Sequence, residues 1–442
     1  MRFLYTLLFY AATPFILARV FWRGRWNPAY RQRIPERFGF YGGEGGRRET
    51  AWVHAVSVGE VESAIPLVRS LLELRPGLSV LFTSTTPTGS ARVQATLGDR
   101  VQHCYLPYDL PGCVNRFLRH FQPRIAVILE TELWPNLFAA CAAHSIPLFI
   151  VNGRLSARST DGYRRLASLV KDTLTHVTAI AAQTDEDASR FVAIGAARNK
   201  VMTCGNIKFD LEVRDDFSEQ GMRDRQLLFG DRPVLIAAST HEGEEQLLLA
   251  VYDTLLTQFP RLALILVPRH PERFPSVAAL CRNCGYSVVQ RSEGRTCSSE
   301  DQIFLVDTMG ELRRFYAAAD VAFVGGSLVP VGGHNVLEPA AVGTPVLFGP
   351  YMENFREICL ALSAAGGALA CENTAALERH CASLLANAEQ RTAMGGCGRS
   401  FVAANRGALA RILSVLGGYL PAAAAANSTS ASSSNGAGRP IK

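Results

Sequence analysis

The chain has 442 residues, 48% of them hydrophobic and 19% charged, which is long enough for two domains with sizeable cores. Its net charge of +6 comes from residues 1–40, where seven arginines accompany a single acid, Glu36. The rest of the chain carries no net charge, which argues against a nucleic-acid protein with a basic groove. Eleven scattered cysteines argue against a disulfide framework.

The N-terminal segment is apolar, with sixteen uncharged residues between Arg2 and Arg19. A spanning helix needs about 20 apolar residues, so residues 1–25 predict a membrane-anchoring helix that either spans the bilayer or lies on it, with a kink at Pro14. The arginines that follow predict that the rest of the chain stays on the cytoplasmic side. A cleaved signal peptide is less favoured, because no small-x-small site follows the apolar run.

Residues 26–211 alternate strands with helices, which predicts a Rossmann-like domain with a parallel sheet. Ligands bind beyond the carboxyl ends of the strands in such sheets, so polar residues there are candidates for function. The predicted strands are 51–56, 79–83, 125–129, 147–151 and 178–182, and the predicted helices are 60–74, 135–144, 162–174 and 185–194.

Three charged residues of this domain are candidates for catalysis. Ser57-x-x-Glu60 fits a capping box, but other polar residues expected at the same sheet edge favour Glu60 as a general base for an acceptor hydroxyl. Glu130 and Glu132 leave a strand that is otherwise apolar, and Glu130 is the better candidate because it comes first after the strand. Lys208 would lie near the hinge between domains, although a solvated loop lysine is an equally good interpretation.

The alternation stops at residues 212–230, a charged stretch that predicts the interdomain linker. Residues 231–420 then form a second predicted Rossmann-like domain, and the two parallel sheets are expected to face each other across a cleft. The tail, residues 421–442, has almost no large apolar side chains and predicts disorder. The predicted strands of the second domain are 234–238, 262–267, 287–290, 303–306, 321–324 and 345–348.

A glycine-rich stretch, GGSLVPVGGHNVLEPAAVGTPVLFGP, occupies residues 325–350 and predicts a loop, a short helix from Asn335 to Gly343, and a strand. The free N–H groups of such a loop and the helix start favour an anion such as phosphate. Asn335-x-x-Glu338 also fits a capping box, but a cap needs no such density of glycines. Further helix starts follow strands at residues 239–242, 268–270 and 308–311, which together predict a nucleotide site.

The segment GGHNVLEPAAVGTPVLFGP resembles the nucleotide-binding segment of GT-B glycosyltransferases, and in particular that of the Kdo transferases. That family loads 3-deoxy-D-manno-octulosonic acid (Kdo) onto lipid A precursors. The resemblance extends from RFGF, at residues 37–40, past Asn354. It implies an acceptor-binding first domain, a second domain that binds the donor CMP-Kdo, and inverting transfer to a lipid IVA type of precursor. The setting implied is lipopolysaccharide core biosynthesis at the cytoplasmic face of the cell inner membrane.

The resemblance also implies roles for individual residues. Glu60, in the SVGE motif, matches the general base, and Glu130 and Lys208 match positions that stabilise the transition state. The positions that match the family's CMP-binding segments are Pro268, Arg269, Met309, Gly310, Glu311, Asn335, Val336, Leu337 and Glu338.

No metal cofactor is predicted. The acidic triplet at residues 185–187 lies at a helix start, where acids complement the dipole. His54, His241, His270 and His334 are spread over both domains without ligand spacing.

Two alternatives stay open at this point. One is a GT-B enzyme with a UDP-sugar donor, or a related epimerase. The other is a non-catalytic, membrane-anchored nucleotide-binding module, which the carboxylates of the first domain disfavour.

Overall fold

The computed structural model describes residues 1–43, 45, 50–211 and 216–420. These residues form two compact units, one made of residues 1–207 with residues 409–420, and one made of residues 208–408. Each unit is a Rossmann-like α/β domain built on a parallel sheet of seven strands. The two-domain GT-B architecture predicted from the alternation is therefore confirmed at the level of each domain.

The sheet of the first unit has the strand order β3-β2-β1-β4-β5-β6-β7. Chain order reverses between β1 and β4, so the crevice at their carboxyl ends is the switch point where such sheets bind ligands. The strands are β1 (Thr50–His54), β2 (Ser79–Ser84), β3 (Gln102–Tyr105), β4 (Ile125–Leu129), β5 (Leu148–Gly153), β6 (Ala179–Ala182) and β7 (Val201–Thr203).

Nine helices precede, cover or connect the described strands of this sheet. They are α1 (Arg2–Trp26), α2 (Ile34–Arg37), α3 (Val58–Leu74), α4 (Pro87–Leu97), α5 (Pro111–Phe121), α6 (Pro135–Ala143), α7 (Ala157–Arg164), α8 (Ala167–Thr175) and α9 (Asp185–Ala193).

The sheet of the second unit has the order β10-β11-β9-β8-β12-β13-β14, and its switch point lies between β8 and β12. Its strands are β8 (Val234–Thr240), β9 (Ala263–Pro268), β10 (Val288–Gln290), β11 (Ile303–Leu305), β12 (Val321–Val324), β13 (Val346–Phe348) and β14 (Ala368–Ala370). The remaining helices are α10 (Asp216–Leu228), α11 (Glu244–Gln258), α12 (Phe274–Asn283), α13 (Leu312–Ala317), α14 (Leu337–Val342), α15 (Arg356–Ala364), α16 (Thr374–Ala386), α17 (Ala388–Asn405) and α18 (Ala408–Gly417).

Burial on both faces explains why the central strands are apolar runs. Every residue of β4 is fully buried, because helices cover both faces of a parallel sheet. The strands that the sequence analysis missed, β3, β7 and β14, are short and lie at sheet edges or next to them, where the apolar signal is weak. The predicted helix 162–174 is two helices, α7 and α8.

The predicted linker, residues 212–230, contains helix α10. The Asp224 carboxylate pairs with Arg314 of α13, and Arg225 pairs with Asp320 at 2.9 Å, so this helix belongs to the second unit. Gly221 lets the two helices approach closely, because a Cβ there would lie 2.4 Å from the Cβ of Ala317. Residues 212–215 of the predicted linker lie outside the described residues.

The second predicted domain, 231–420, ends later than the second unit does. Helix α18 packs on the first unit, where Ile412 and Leu416 are fully buried in the core. Arg411 Nε also donates to the Cys204 carbonyl at 2.8 Å. The apolar face of α18 therefore returns the chain to the first unit. The predicted disordered tail, 421–442, lies outside the described residues.

Candidate active site

Glu60 lies at the switch point of the first sheet, in the first turn of α3. Its carboxylate accepts hydrogen bonds from the Val56 N–H at 2.8 Å, the Ser57 N–H at 3.3 Å and the Ser57 hydroxyl at 2.9 Å. Ser57 in turn accepts from the Glu60 N–H, so the capping box is formed. The residue is 8% exposed. A carboxylate has about four lone-pair positions, so this capped glutamate keeps one for a further partner.

Glu130 and Glu132 follow β4 on the other side of the same switch point. Both side chains are partly buried. Burial, together with the neighbouring Glu60 and Glu130 carboxylates, raises the pKa of Glu132 to about 7. The structure thus brings three carboxylates to one sheet edge, and Glu132 binds a proton more readily than an ordinary glutamate does. The sequence favours Glu130 over Glu132, because Glu130 comes first after the strand.

Backbone strain occurs at three strand ends. Glu130, Asn152 and Ser239 have φ values of 58°, 53° and 59°, and each lies at the carboxyl end of a strand. A left-handed non-glycine residue costs roughly 1–2 kcal/mol, so these positions hold conformations that local preference opposes. Such strain concentrates at functional sites. The Asn152 side chain also accepts from the Ile207 N–H at 3.0 Å and fixes the segment that leads to Lys208.

Lys208 belongs to the second unit rather than to the first sheet. Its Nζ lies 3.5 Å from the Asn354 carbonyl and 5.0 Å from the centre of the Phe355 ring. The side chain is partly buried, and its contact with the Asn354 carbonyl is exposed to solvent. Lys208 is therefore held next to the segment that follows the glycine-rich stretch.

The glycine-rich loop after β12 differs from the expectation that its N–H groups are free for an anion. The N–H groups of Gly326, Ser327 and Leu328 donate to the Glu244 carboxylate at 2.7, 3.0 and 2.9 Å. Glu244 is fully buried and also accepts from the His241 N–H at 3.2 Å. An internal carboxylate thus occupies this nest, so these three amides are not free for an anion.

Three histidines meet at the switch point of the second sheet, contrary to the expectation that they are scattered. The rings of His241 and His334 are stacked, with their Nε2 atoms 2.8 Å apart, and His270 meets His241 edge-on at 5.2 Å between ring centres. Burial and the nearby Arg269 lower the pKa of His334 to about 3. Burial also lowers the pKa of His241, with a contribution from His270. The positive charge of Arg269 and the ring N–H groups of this histidine cluster form an arrangement that suits an anion.

The residues of the predicted CMP-binding segment 309–311 differ in how accessible they are to a ligand. Met309 and Gly310 are exposed, and Gly310 has a φ of 90°. Glu311 instead pairs with Arg291 and Arg314, each at 3.0 Å. Hydrogen bonds and these arginines keep its pKa below the usual range although burial acts in the opposite direction. Its carboxylate is therefore held in ion pairs with residues of its own unit.

Asn335, just before α14, and Glu338, in its first turn, are partly exposed, whereas the side chains of the two residues between them are not accessible to a ligand. Val336 and Leu337 are fully buried in the core of the second unit, so their side chains cannot contact a ligand. The Asn335 side chain accepts from the Leu337 N–H at 3.0 Å, and Glu338 lies 3.4 Å from Arg313. The predicted helix start at Asn335 shifts to Leu337.

The acidic triplet at residues 185–187 has structural roles. Asp187 accepts from the Leu155 N–H at 2.8 Å and forms a cap with Thr184, while Asp185 accepts from Thr203. Glu186 pairs with Arg190 one helical turn away. These partners account for all three acids without a ligand.

Comparison with known proteins identifies the family. A model of the 3-deoxy-D-manno-octulosonic-acid transferases (kdotransferase) matches residues 32–211. The 3-deoxy-D-manno-octulosonic acid transferase of Haemophilus influenzae is 44% identical, over 95% of this chain and 99% of its own length. The chain belongs to the Kdo transferase family. The Kdo transferase of Bordetella pertussis is 37% identical over 95% of this chain and 99% of its own.

This Kdo transferase is therefore an enzyme, a glycosyltransferase, as the resemblance implied. Among solved structures, the UDP-GlcNAc 2-epimerase of Neisseria meningitidis has a TM-score of 0.51, with 14% identity over 83% of this chain and 99% of that one. A likeness at that level of identity shows the shared two-domain fold alone. The family match favours a transferase over the epimerase and over the non-catalytic module.

Proposed function

We propose that this Kdo transferase moves Kdo from CMP-Kdo to a lipid A precursor of the lipid IVA type, with inversion, in lipopolysaccharide core biosynthesis. Membership of the family over 95% of the chain supports the transferred sugar. The observation that carries the mechanism is the buried, capped Glu60 at the switch point of the first sheet, with Glu130 and Glu132 beside it.

The reaction is a single displacement in which Glu60 acts as the general base. The oxygen of an acceptor hydroxyl attacks the anomeric carbon of Kdo, while its proton passes to the remaining lone pair of the carboxylate. The bond between that carbon and the phosphate oxygen breaks, and CMP leaves with the bonding electrons. Three hydrogen bonds hold the Glu60 side chain in one orientation, which positions it for proton transfer.

Glu130 and Lys208 act on charge that develops in the transition state. A carboxylate at the sheet edge counters positive, oxocarbenium-like charge on the sugar, and a lysine counters the negative charge of the phosphate or the sugar carboxylate. Glu132, with a pKa of about 7, takes up a proton more readily than an ordinary glutamate, which limits the repulsion among the three carboxylates.

The donor binds to the second unit through Arg269 and the neighbouring histidines. We place the phosphate of CMP-Kdo at this cluster rather than at residues 326–328, because Glu244 already holds those three amides. Pro268 is the last residue of β9, and Arg269 follows it. The backbone N–H of Arg269 donates to the Thr240 carbonyl at 3.0 Å, which fixes the position of its backbone. Met309, Gly310, Asn335 and Glu338 complete the nucleotide site, with Val336 and Leu337 contributing backbone only.

The reaction is proposed to need no metal ion. Within the described residues, no group of three or more histidine, cysteine or acidic side chains is arranged so that it could hold a metal ion, and the clustered histidines and carboxylates described above do not form one. The guanidinium of Arg269 would then supply the positive charge that a metal ion gives other sugar transferases.

The proposed location is the cytoplasmic face of the cell inner membrane, with α1 as the anchor. By length and composition α1 could cross a membrane. Its outward-facing side chains are largely apolar, and arginines follow them.

Transfer by the purified full chain tests the proposal. We expect product from CMP-Kdo and a tetra-acylated lipid A precursor at the same rate with and without EDTA, and we expect CMP, but not UDP, to raise the unfolding temperature. A chain that binds CMP but makes no product would overturn the acceptor assignment. Loss of product in EDTA that returns with added Mg²⁺ would overturn metal independence, and stabilisation by UDP alone would overturn the donor.

Replacing Arg269 by alanine should weaken CMP binding. Hydrogen bonds to charged groups contribute about 1.5–3 kcal/mol, so the dissociation constant measured by calorimetry should rise roughly 10- to 150-fold. Arg282→Ala is the matched control, because Arg282 is an exposed arginine at the far end of α12 that contacts Gln290. Equal affinities for both variants and the unchanged protein would place the phosphate away from Arg269.

A further inference from the structure

Helix α1 contacts α6 near its start and the turn at residues 28–31 near its end, and it is partly covered on one side. Its less exposed residues recur on one face with the spacing of three or four that marks one side of a helix, at Tyr5, Phe9, Ala12, Ile16, Val20 and Gly24. This inner face is partly covered along the whole length of the helix. A helix that entered a bilayer upright would leave the protein after its first contacts and show no such continuous face.

The opposite face of α1 is exposed and apolar. Phe3, Phe15 and Trp22 are 83%, 78% and 64% exposed, and Leu7 lies on the same side. The outer face thus runs the full length of the helix as an apolar surface without a partner in the described chain. Arg19 and Arg25 are exposed near its C-terminal end, where they suit anionic headgroups.

Both ends of the segment are attached to the same unit. Near the start of α1, Thr6 Oγ1 donates to the Asn136 side chain at 3.1 Å. Beyond its end, Arg33 donates to the His103 carbonyl at 2.9 Å, and Arg37 donates to the Thr85 carbonyl at 3.0 Å. The two attachments therefore lie within about thirty residues of each other in sequence.

The return path is too short and too polar to cross a bilayer. Between residues 5 and 26 the helix rises about 31 Å, about the thickness of the hydrocarbon core. Residues 27–33 span at most about 25 Å even when fully extended, and they carry arginines. Arg31 moreover folds back on the helix, where it donates to the Phe21 carbonyl at 3.0 Å and covers Gly24. A spanning α1 would have to break these contacts or carry arginines through hydrocarbon.

We propose that α1 does not span the membrane but lies in the plane of one leaflet, with its outer face in the headgroup and acyl boundary. This inference rests on the membrane association in the proposed function, and it does not depend on the sugar. Thr6 contacts Asn136, four residues after Glu132, so α1 also brings the carboxylates of the first unit close to the lipid surface. An acceptor lipid then reaches Glu60 without leaving the leaflet.

Depth-dependent fluorescence quenching tests the orientation in the full chain. The background protein carries Trp22→Phe and Trp26→Phe, so it has no tryptophan in α1. Adding Phe3→Trp or Phe15→Trp to this background gives proteins with one tryptophan in α1. A third protein carries Trp26→Phe alone and keeps Trp22. Each protein is bound to phosphatidylethanolamine and phosphatidylglycerol vesicles with lipids brominated at a shallow or a deep position. The signal of the background protein, from Trp52 and Trp134, is subtracted.

An in-plane helix places all three tryptophans at one depth, so the ratio of deep to shallow quenching should be the same for each. A spanning helix places residue 15 about 18 Å deeper along its axis than residue 3, with Trp22 shallow again, and that pattern would overturn the proposal. Absence of quenching in every variant would remove the lipid as the partner of this face.

An independent readout uses the unaltered sequence with an epitope tag at its N-terminus. An in-plane helix keeps the tag in the cytoplasm, so protease added to intact spheroplasts should leave it uncut, and protease added to inside-out vesicles should remove it. Removal of the tag in intact spheroplasts would show that α1 crosses the membrane. Because membrane association and Kdo transfer are measured separately, failure of this inference is distinguishable from failure of the proposed function.

Discussion

Glu60→Gln should lower the rate of Kdo transfer at least about 100-fold, because a carboxamide cannot accept the proton of the acceptor hydroxyl. CMP binding should stay unchanged, since the donor residues lie in the other unit. The carboxamide keeps one oxygen for the capping contacts but presents an NH₂ group to a backbone N–H donor, so unfolding should become easier by about 1–3 kcal/mol. Single-turnover rates at saturating CMP-Kdo, with denaturant unfolding of the same samples, separate the two effects.

Ser57→Ala is the matched control for Glu60→Gln. It removes the hydroxyl of the capping box and leaves the carboxylate, so it should cost about 1 kcal/mol of stability and keep most of the transfer rate. Similar rate losses in the two variants would mean that Glu60 acts only as a cap. A Glu60→Gln protein that transfers Kdo at the normal rate would remove it from the chemistry altogether.

The sequence predicted the fold better than the site because the two depend on different information. The runs that form β4 and β12 are apolar and buried on both faces, so they could be located to the residue. Strand ends could therefore be ranked as places for ligands, which placed Glu60, Glu130 and Arg269 correctly at sheet edges. Helix α18 could not be assigned to the first unit, because nothing local tells which core its apolar face will join.

The arrangement of side chains around the glycine-rich loop could not be predicted from local patterns. Glu244 follows a strand and starts a helix, so the sequence indicates an acid that interacts with the helix dipole. In the structure its carboxylate accepts from the Gly326 N–H, 82 residues further along the chain. His241 and His334 are 93 residues apart and meet only because β8 and β12 are neighbours in the sheet. Only the strand order, and no sequence motif, would have predicted that these two histidines are in contact.

Glu244→Ala should strongly destabilise the donor unit. The carboxylate satisfies four backbone N–H groups, those of His241, Gly326, Ser327 and Leu328. Each buried donor left without a partner costs about 1–3 kcal/mol, so the loss should reach at least about 3 kcal/mol even if water enters the space. Because the same loop leads to His334 and Asn335, CMP affinity should fall as well. Denaturant unfolding and calorimetry with CMP measure the two losses.

Two controls define what the Glu244 carboxylate does. Glu244→Gln keeps one oxygen, so it should retain about half of the amide contacts and lose less stability than Glu244→Ala. Glu242→Ala removes an exposed acid two residues away and should stay within about 0.5 kcal/mol of the unchanged protein. If Glu244→Ala bound CMP more tightly, the freed amides would be taking the phosphate. The amides of residues 326–328 would then be part of the CMP-Kdo site, and Glu244 would block them. The alternative is that Glu244 only holds this loop in the shape that Arg269 and the histidines need.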